Sequence, residues 1–392
     1  MTLSPDKHLN PHDMPVVAHF SNTFFVKSET FIYHYLSHMS TIKPICLAWR
    51  LENLEDFVFP PADMYCLQLK QYHSQWFYYG LQKHLFNKDL YFQHILKTRD
   101  VRLLHAHFGH NGVQAMKLLR QLKLPIPLVT TFYGADISRQ DMVQPLREQY
   151  RQLFDYGTQF LVEGLYMKAA LVQLGCPEHK IQIQPIAIPL DTIRFKERLP
   201  RGKDPVRLLF CGRFVEKKGL FYALSAIKKV WQQGNRNIRF CIIGDGLLKE
   251  DIRSFIDKNH MEEYVELPGF LRYDHYLKRV EEADIFIHPS ITATDGDSEG
   301  GAPTTILEAQ AMGLPVLSTL HADIPNVVLP GQSALLSPER DVECLARHIL
   351  YLLENQQLWS TMGKAGRTFI EEHHDIKTET PKLEAKYRQL FQ

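Results

Sequence analysis

The sequence predicts an α/β protein in which two doubly wound parallel sheets face a central cleft. Short apolar strands alternate with helices along most of the chain, and this alternation is typical of parallel sheets covered by helices. A length of 392 residues suggests two or three domains of about 150 residues each. Residues 284–325 read as a strand, a glycine turn, a helix and a strand. Such a unit directs the free N–H groups of the helix start into the crevice beyond the strand ends.

Composition excludes several classes of protein. Hydrophobic residues make up 45% and charged residues 23%, as in ordinary soluble globular domains. A formal net charge of +1 argues against nucleic acid as a partner. Six scattered cysteines without a C-x-x-C pair suggest neither a disulfide framework nor a metal site. The polar start does not resemble a signal peptide, and no apolar run is long enough to cross a membrane, so we expect a cytoplasmic protein.

The first half of the chain shows repeated strand–helix units. Strands are expected at 15–20, 101–105, 127–131 and 160–162. Ser28 is a candidate cap for a helix at 28–39, because its hydroxyl can accept a bond from a free N–H at the helix start. Residues 70–100 interleave aromatic residues with lysines. They form either a core helix with solvated lysines or a surface for a membrane or a lipid acceptor.

The second half repeats the alternation. Strands are expected at 206–211, 239–243, 284–288, 316–317 and 334–336, with a helix at 341–353. Residues 194–204 are charged and carry a proline, so we interpret them as the linker between the two domains. The tail, 382–391, has apolar residues at helical spacing.

Two groups of residues in the second half point to chemistry. Arg213 and Lys218 are five residues apart on the loop after a strand, where two cations can stabilise negative charge that builds on a departing phosphate. Glu299 and Glu308 bracket the glycine turn, and carboxylates beside an anion site suit the hydroxyls of a sugar or ribose attached to phosphates.

Together, SEGGAPTTILEAQAMGLPVLST and GRFVEKKG resemble the signatures of family 4 of the retaining glycosyltransferases, enzymes of the GT-B fold. The segment FFVKSETFI is similar to the first strand-to-helix loop of the exopolysaccharide and lipopolysaccharide (colanic-acid-type) members, although it also suits a plain capped helix. The resemblance implies an acceptor-binding domain at 1–198 and a donor-binding domain at 205–375. It also implies a last helix, about 376–392, that crosses back to the first domain.

The resemblance also implies roles for single residues. Catalytic roles fall on Arg213, Lys218 and Glu299. Donor-binding roles fall on Gly212, Gly244, Phe270, Leu271, Gly300, Gly301, Ala302, Pro303 and Glu308. Roles on the sugar and acceptor side fall on His107, Tyr133 and Asp136.

Two departures from the family pattern matter. Eight residues separate Glu299 from Glu308, where the family has seven, and the double glycine can absorb the extra residue by looping. The extra residue then leaves the helix and Glu308 unmoved and bears on the pose of Glu299. Tyr133 stands where the family commonly has histidine, so the role implied there is hydrogen bonding and not proton transfer at neutral pH.

The sequence therefore predicts a transferase that moves a sugar, with retention, from a UDP- or GDP-sugar to a glycan or lipid-linked acceptor in cell-surface polysaccharide biosynthesis. Alternatives are an inactive nucleotide-sugar-binding protein and a Rossmann-type oxidoreductase, for which residues 244–246 supply only a partial G-x-G. No cofactor or metal is expected, because the spacing of His105, His107 and His110 gives poor ligand geometry. Asp295 and Asp297 are interpreted as structural or sugar-facing. The protein is expected at the inner face of the cytoplasmic membrane, with a possible peripheral contact through 70–97.

Overall fold

The computed structural model describes residues 14–66 and 88–391, in which the chain forms two all-parallel sheets. The strands of the first sheet are β1 (Val16–Phe24), β2 (Lys43–Leu51), β3 (Met64–Cys66), β4 (Val101–His107), β5 (Leu128–Thr131), β6 (Gln159–Val162) and β7 (Ile181–Ile183). They lie in the order β3-β2-β1-β4-β5-β6-β7. The helices around this sheet are α1 (Thr30–His38), α2 (Lys88–Thr98), α3 (Gly109–Leu122), α4 (Ala135–Ser138), α5 (Gln140–Tyr156) and α6 (Leu165–Gln173).

The second sheet belongs to the second half of the chain. Its strands are β8 (Val206–Cys211), β9 (Ile238–Ile243), β10 (Val265–Gly269), β11 (Ile285–His288), β12 (Val316–Thr319) and β13 (Ala334–Ser337), in the order β10-β9-β8-β11-β12-β13. The helices that follow are α7 (Leu220–Gln232), α8 (Lys249–Lys258), α9 (Tyr273–Glu282), α10 (Thr304–Ala311), α11 (Val342–Glu354), α12 (Trp359–His373) and α13 (Ile376–Arg388). The predicted fold class of two doubly wound parallel sheets is confirmed.

Burial explains why apolar residues run through whole strands instead of alternating along them. Helices cover both faces of each sheet, so the side chains of both faces need an apolar environment. In the first sheet all four residues of β6 are buried. In the second sheet the same holds for β11 and β12.

Each sheet has one place where the direction of strand succession reverses. In the first sheet this place lies between β1 and β4, and in the second between β8 and β11. Ligands of open α/β sheets bind beyond the carboxyl ends of the strands at such a point. The loops after β1, β4, β8 and β11 are therefore the places to look for a site.

The last helix, α13, packs against the first sheet. Glu384 in this helix accepts hydrogen bonds from the backbone N–H groups of Ser40, Thr41 and Ile42. Leu383 and Tyr387 are buried together with residues of the first sheet. The chain therefore ends against the sheet with which it began.

The charged segment at 194–204 does not run free between the two sheets. The buried guanidinium of Arg198 donates to the carbonyl oxygens of Val280, Glu281 and Met312. Arg201 forms an ion pair with the buried carboxylate of Asp284. These arginines tie the segment that we interpreted as a linker to the second half of the chain.

Several local expectations need correction. Each predicted strand is present with ends that differ by at most four residues. Four further strands, β2, β3, β7 and β10, and the helix α5 were among the elements not predicted. Ser28 does not cap α1, because the helix begins at Thr30 with Glu29 in the cap position and without a side-chain bond. Residues 67–87, which hold most of the aromatic and lysine-rich stretch, lie outside the described residues. Every helix in the described ranges is too short or too polar to cross a bilayer.

Candidate active site

The loops that follow β8 and β11 meet the loops of the first sheet across the cleft. The N–H of Ser298 donates to the hydroxyl of Ser138 at 3.2 Å. Gly134, with φ of +117°, has its backbone against the carbonyl of Glu299, so that an added Cβ would lie 2.5 Å from that oxygen. Only glycine tolerates this approach. The residues expected on the donor side and those expected on the sugar side therefore share one cleft.

Glu299 and Lys218 form a buried ion pair in this cleft. Nζ of Lys218 lies 2.8 Å from Oε2 of Glu299, and the two side chains are 11% and 5% exposed. The hydroxyl of Ser290, in the loop after β11, donates to Oε1 of Glu299 at 2.8 Å. Burial works against the charged carboxylate, but Lys218 and Lys217 outweigh it and hold the pKa of Glu299 well below its usual range. Glu299 is therefore an anion at neutral pH.

Lys217, the neighbour of Lys218, has a different function. Its buried ammonium lies 3.0 Å from Asp297 Oδ1 and donates to the carbonyl of Ser298 at 2.9 Å. Asp295 in turn accepts a hydrogen bond from the N–H of Asp297. The two aspartates organise the loop that carries Glu299.

Arg213 is exposed on the loop after β8. Within residues 14–66 and 88–391, no carboxylate lies at ion-pairing distance from its guanidinium. Its charge acts on the carboxyl group of Glu29, in the loop between β1 and α1. Burial raises the pKa of Glu29 to about 7, and the charge of Arg213 opposes that rise. Arg213 is thus a cation that faces the cleft and is available to an anionic ligand.

Glu308 projects from α10 and is 8% exposed. The hydroxyls of Tyr273 and Tyr276, both on α9, donate to its two oxygens at 3.1 and 2.8 Å. Burial raises the pKa of Glu308 to about 7, and these hydroxyls oppose the rise. Two tyrosines thus position the carboxyl group that we expected to contact a ribose.

Glycines line the places where backbones approach each other. An added Cβ on Gly244 would lie 2.0 Å from the carbonyl oxygen of Gly212. On Gly300, with φ of +75°, it would lie 2.3 Å from the Cα of Gly134. Pro303 takes the cap position of α10, which begins one residue later at Thr304, and Ala302 packs on the apolar core beside it.

Phe270 and Leu271 follow β10. Phe270 is 59% exposed, whereas Leu271 packs against the core of the second half. The ammonium of Lys27, in the loop after β1, lies 6.0 Å from the centre of the Phe270 ring. An aromatic ring with this exposure can stack on a base, and the base contact of Phe270 stays a prediction.

Tyr133 and His107 belong to a buried polar chain at the carboxyl ends of β4 and β5. The hydroxyl of Tyr133 lies 2.8 Å from Nδ1 of His107, and Nε2 of His107 lies 3.0 Å from Nδ1 of His19. Burial lowers the pKa of His107 to about 3, so the ring is neutral. The hydroxyl of Tyr133 thus bonds to a histidine of the same half of the chain, and its expected bond to the sugar stays a prediction.

Asp136 is fully buried, and its two oxygens accept hydrogen bonds from the N–H groups of Gly109 and Tyr133 at 2.7 and 3.0 Å. It fixes the loops after β4 and β5 relative to each other. Its carboxylate thereby positions the sugar side of the cleft and does not project into it.

Three histidines could hold a metal ion by proximity alone. They are His19, His105 and His107, and one ring nitrogen of each lies within 4.8 Å of the others. His110, which the sequence grouped with His105 and His107, is not among them. Both nitrogens of His105 already have partners, the hydroxyls of Tyr387 at 2.5 Å and Thr131 at 2.7 Å. Hydrogen bonds thus explain most of the close approach of these three histidines without a metal ion.

Sequence reasoning missed three acids in the cleft: Glu29, Glu163 and Asp323. Asp323 accepts bonds from the N–H groups of Tyr166 and Met167, at the start of α6, and so joins the two halves of the chain. Glu163 follows β6 and contacts Gly301. Glu29 lies within the segment FFVKSETFI, whereas no local motif marks Glu163 or Asp323, which reach the cleft through the packing of the two sheets.

Comparison with known proteins identifies the family. Residues 60–192 match the model of glycosyltransferase family 4, and residues 191–369 match the model of glycosyl transferases group 1. The chain belongs to the family 4 type of glycosyltransferases. It is 36% identical over 245 residues to a putative colanic acid biosynthesis glycosyltransferase, WcaL, of Salmonella typhimurium, covering 62% of this chain and 59% of the relative. It is 37% identical over 267 residues to the amylovoran biosynthesis glycosyltransferase AmsK of Erwinia amylovora, covering 68% and 65%. The chain thus spans about three fifths of the length of these relatives.

Solved structures confirm the GT-B fold of this glycosyltransferase. The structure of Alr3699/HepE of Anabaena in complex with UDP superposes with a TM-score of 0.76 at 15% identity, covering 96% of this chain and 100% of that one. Sucrose-phosphate synthase of Thermosynechococcus elongatus superposes with a TM-score of 0.73 at 15% identity, covering 96% and 99%. At such identities the likeness concerns the fold alone.

Proposed function

We propose that this protein transfers a sugar from a UDP- or GDP-sugar to a glycan or lipid-linked acceptor, with retention at the anomeric carbon. The observation that carries this proposal is the buried pair of Lys218 and Glu299 beside the exposed Arg213. These residues lie in the loops after β8 and β11, between which the order of the strands reverses. A role in the synthesis of a cell-surface polysaccharide is supported by the names of the relatives, which concern colanic acid and amylovoran.

The two cations act on the leaving group. When the bond between the anomeric carbon and the outer phosphate oxygen breaks, negative charge builds on that phosphate. Arg213, with its exposed guanidinium, and Lys218, held in place by Glu299, stabilise this charge from fixed positions. Glu299 is then placed beside the transferred sugar, where it accepts hydrogen bonds from sugar hydroxyls.

Retention is supported by the resemblance to the retaining transferases of family 4, and the engagement of the carboxylates bears on the route by which it occurs. Glu299 is bonded to Lys218 and Ser290, and Glu308 to two tyrosines, so neither is held as the free nucleophile of a retaining glycosidase. We infer a front-face route. The acceptor oxygen bonds to the anomeric carbon on the side from which the diphosphate leaves, and its proton passes to the departing phosphate oxygen.

The proposed reaction is independent of metal ions. In many transferases a divalent cation neutralises the diphosphate, but here Arg213 and Lys218 supply that charge. Asp297, which lies two residues before Glu299 on the same loop, is paired with Lys217. Its carboxylate thereby serves the loop and not a metal–diphosphate complex.

The experiment is a thermal-shift screen of the full chain against UDP-, GDP- and ADP-sugars, followed by assays of transfer and donor hydrolysis. UDP-glucose is the first compound to test, because solved structures of similar fold include complexes with UDP and UDP-glucose. A donor at 100 times its dissociation constant adds about 2.7 kcal/mol to stability. Binding without transfer or hydrolysis would indicate an inactive nucleotide-sugar-binding protein. Stabilisation by NAD alone would indicate an oxidoreductase.

A further inference from the structure

Glu163 reaches the glycine turn from the opposite side of the cleft. It follows β6 in the first half of the chain, and its carboxyl group lies directly against Gly301. A Cβ added to Gly301 would lie 1.5 Å from Oε2 of Glu163. The turn that carries the extra residue between Glu299 and Glu308 is therefore shaped around Glu163, and this explains why the second glycine is needed.

The other acids of this part of the cleft have partners within the protein. Asp136 accepts two backbone N–H groups, Asp323 accepts two at the start of α6, and Glu299 is bonded to Lys218 and Ser290. Glu163 differs. In the part of the chain that the structure describes, its carboxyl oxygens have no hydrogen-bond or ion-pair partner.

The surroundings of Glu163 favour its neutral form. Burial raises its pKa well above the usual range, and Asp323, Asp136 and Glu299 raise it further, while Lys217 opposes them. A protonated carboxyl group has one O–H donor and free acceptor capacity. Glu163 is half-buried, and neither capacity is used within the described residues, so both are open to a ligand in the cleft.

A sugar hydroxyl can use both the donor and the acceptor capacity of this carboxyl group, because it accepts and donates at the same oxygen. We propose that Glu163 is a specificity-determining residue of the transfer: its carboxyl group binds a hydroxyl of the donor sugar across the cleft from Glu299. The inference rests on the proposed function, since it assigns one side of the sugar subsite of that reaction. It places a residue of the first half of the chain in contact with the donor.

A purely structural role for Glu163 predicts a different outcome. Asp323 and the bond between Ser298 and Ser138 already join the two halves of the chain, so Glu163 is not required for that purpose. Removing this half-buried carboxyl group, which has no partner among the described residues, should leave the stability unchanged or raise it, as is common for groups retained for function. Loss of stability on its removal is the mark of a structural role.

The test compares Glu163→Leu, which keeps the volume, with Glu163→Gln, which keeps hydrogen bonding. Glu178→Gln is the control, because Glu178 is an exposed glutamate of the same half of the chain, paired only with Lys168. Dissociation constants are measured by calorimetry for UDP-glucose, UDP-galactose and GDP-mannose, and for free UDP and GDP. Unfolding temperatures are measured on the same samples.

For the donor that the wild type prefers, we expect Glu163→Leu to raise the dissociation constant at least tenfold. Binding of the free nucleoside diphosphate should stay within twofold, and the unfolding temperature should be equal or higher. Glu163→Gln should stay within about threefold for both ligands. Equal weakening of donor and free diphosphate, an unchanged donor affinity, or a lower unfolding temperature in both variants would overturn the inference. If the wild type binds none of the donors, the proposed function itself fails; if it binds them and the variants show no such split, only the role of Glu163 fails.

Discussion

Nζ of Lys218 lies 2.8 Å from Oε2 of Glu299, although the two residues are 81 positions apart. Each follows a strand, Lys218 after β8 and Glu299 after β11, and these strands are neighbours in the second sheet. Parallel pairing therefore brings the cation and the carboxylate together. Since both side chains are buried, removing one leaves the other as an uncompensated charge.

This pairing separates the effects of Arg213→Ala and Lys218→Ala. Each should lower turnover by at least a hundredfold, about 2.7 kcal/mol of transition-state stabilisation, because each removes a cation from the leaving diphosphate. Only Lys218→Ala should also lower the unfolding temperature, because it leaves Glu299 buried without its partner. Steady-state kinetics and thermal unfolding check both parts.

Lys229→Ala is the matched control for these variants, because Lys229 pairs with Glu343 on the surface of the second half. It should change neither quantity measurably. Turnover like that of the wild type in both Arg213→Ala and Lys218→Ala would refute the phosphate role.

The two glutamates that bracket the glycine turn should differ in which ligand they affect. Glu308→Ala should weaken binding of the nucleotide-sugar and of the free nucleoside diphosphate alike, because a ribose is present in both. Glu299→Ala should weaken binding of the intact donor more than binding of the free diphosphate, because its own contact is with the sugar and the diphosphate is affected only through Lys218. Calorimetric titration of both variants with both ligands measures these changes in affinity. The same profile in both would show that the extra residue between them has changed their roles.

The pKa of Glu308 makes a prediction about stability. Burial raises that pKa from 4.5 to about 7, against the hydrogen bonds of Tyr276 and Tyr273. The folded state thus holds the proton more tightly than the unfolded state does, and Glu308 contributes stability at low pH that is lost as the pH rises from about 4.5 to about 7. The free energy of unfolding of Glu308→Gln, relative to the wild type, should therefore be higher at pH 8 than at pH 4.

Denaturant unfolding at the two pH values measures this difference. Glu178→Gln serves as the reference, because the acid that it replaces is exposed. A difference between Glu308→Gln and the wild type that is the same at pH 4 and pH 8 would contradict the raised pKa.

The sequence predicted the second half of the site better than the first. Arg213, Lys218, Glu299 and Glu308 lie in short motifs whose glycines mark close backbone approaches, and those approaches are present. Glu163 could not be found in this way, because its contact with Gly301 depends on how the two sheets face each other.

Prediction from local sequence also failed where tertiary contacts determine the secondary structure. Ser28 has the chemistry of a helix cap, but the turn from Val26 to Glu29 places Glu29 at the start of α1. The strand β2 carries a proline at its second residue, Pro44, which disguises an otherwise apolar run. Its parallel pairing with both β1 and β3 is a long-range property.

Metal independence has a direct test. Donor turnover should be unchanged in the presence of a chelator and should not rise on addition of magnesium or manganese, because Arg213 and Lys218 supply the positive charge at the diphosphate. The assay compares initial rates before chelation, after it, and after each ion is restored. Activity that is abolished by chelation and restored by either ion would overturn the prediction and direct attention to Asp295 and Asp297.

The last prediction concerns the stretch from Lys70 to Lys97, most of which lies outside the described residues. We propose that this stretch contacts an anionic membrane surface, because its sequence interleaves lysines with aromatic residues and the proposed acceptor is carried on a glycan or lipid. Each lysine near such a surface contributes about 1 kcal/mol, so that four hold the protein reversibly. Trp76 and the neighbouring tyrosines suit the headgroup level.

Replacing the four lysines of this stretch by glutamine should reduce co-sedimentation with anionic vesicles and leave donor binding unchanged; they are Lys70, Lys83, Lys88 and Lys97. The matched control removes the same charge from four exposed lysines of the second half, Lys203, Lys258, Lys278 and Lys364. If attraction to the membrane depended on net charge alone, both variants would lose binding equally. A loss of binding confined to the first variant would locate the membrane contact in this stretch, because salt limits the electrostatic attraction of each lysine to about 8–10 Å at moderate ionic strength. Vesicle binding that is absent in the wild type, or that survives all four changes, would leave this stretch as core and solvated surface.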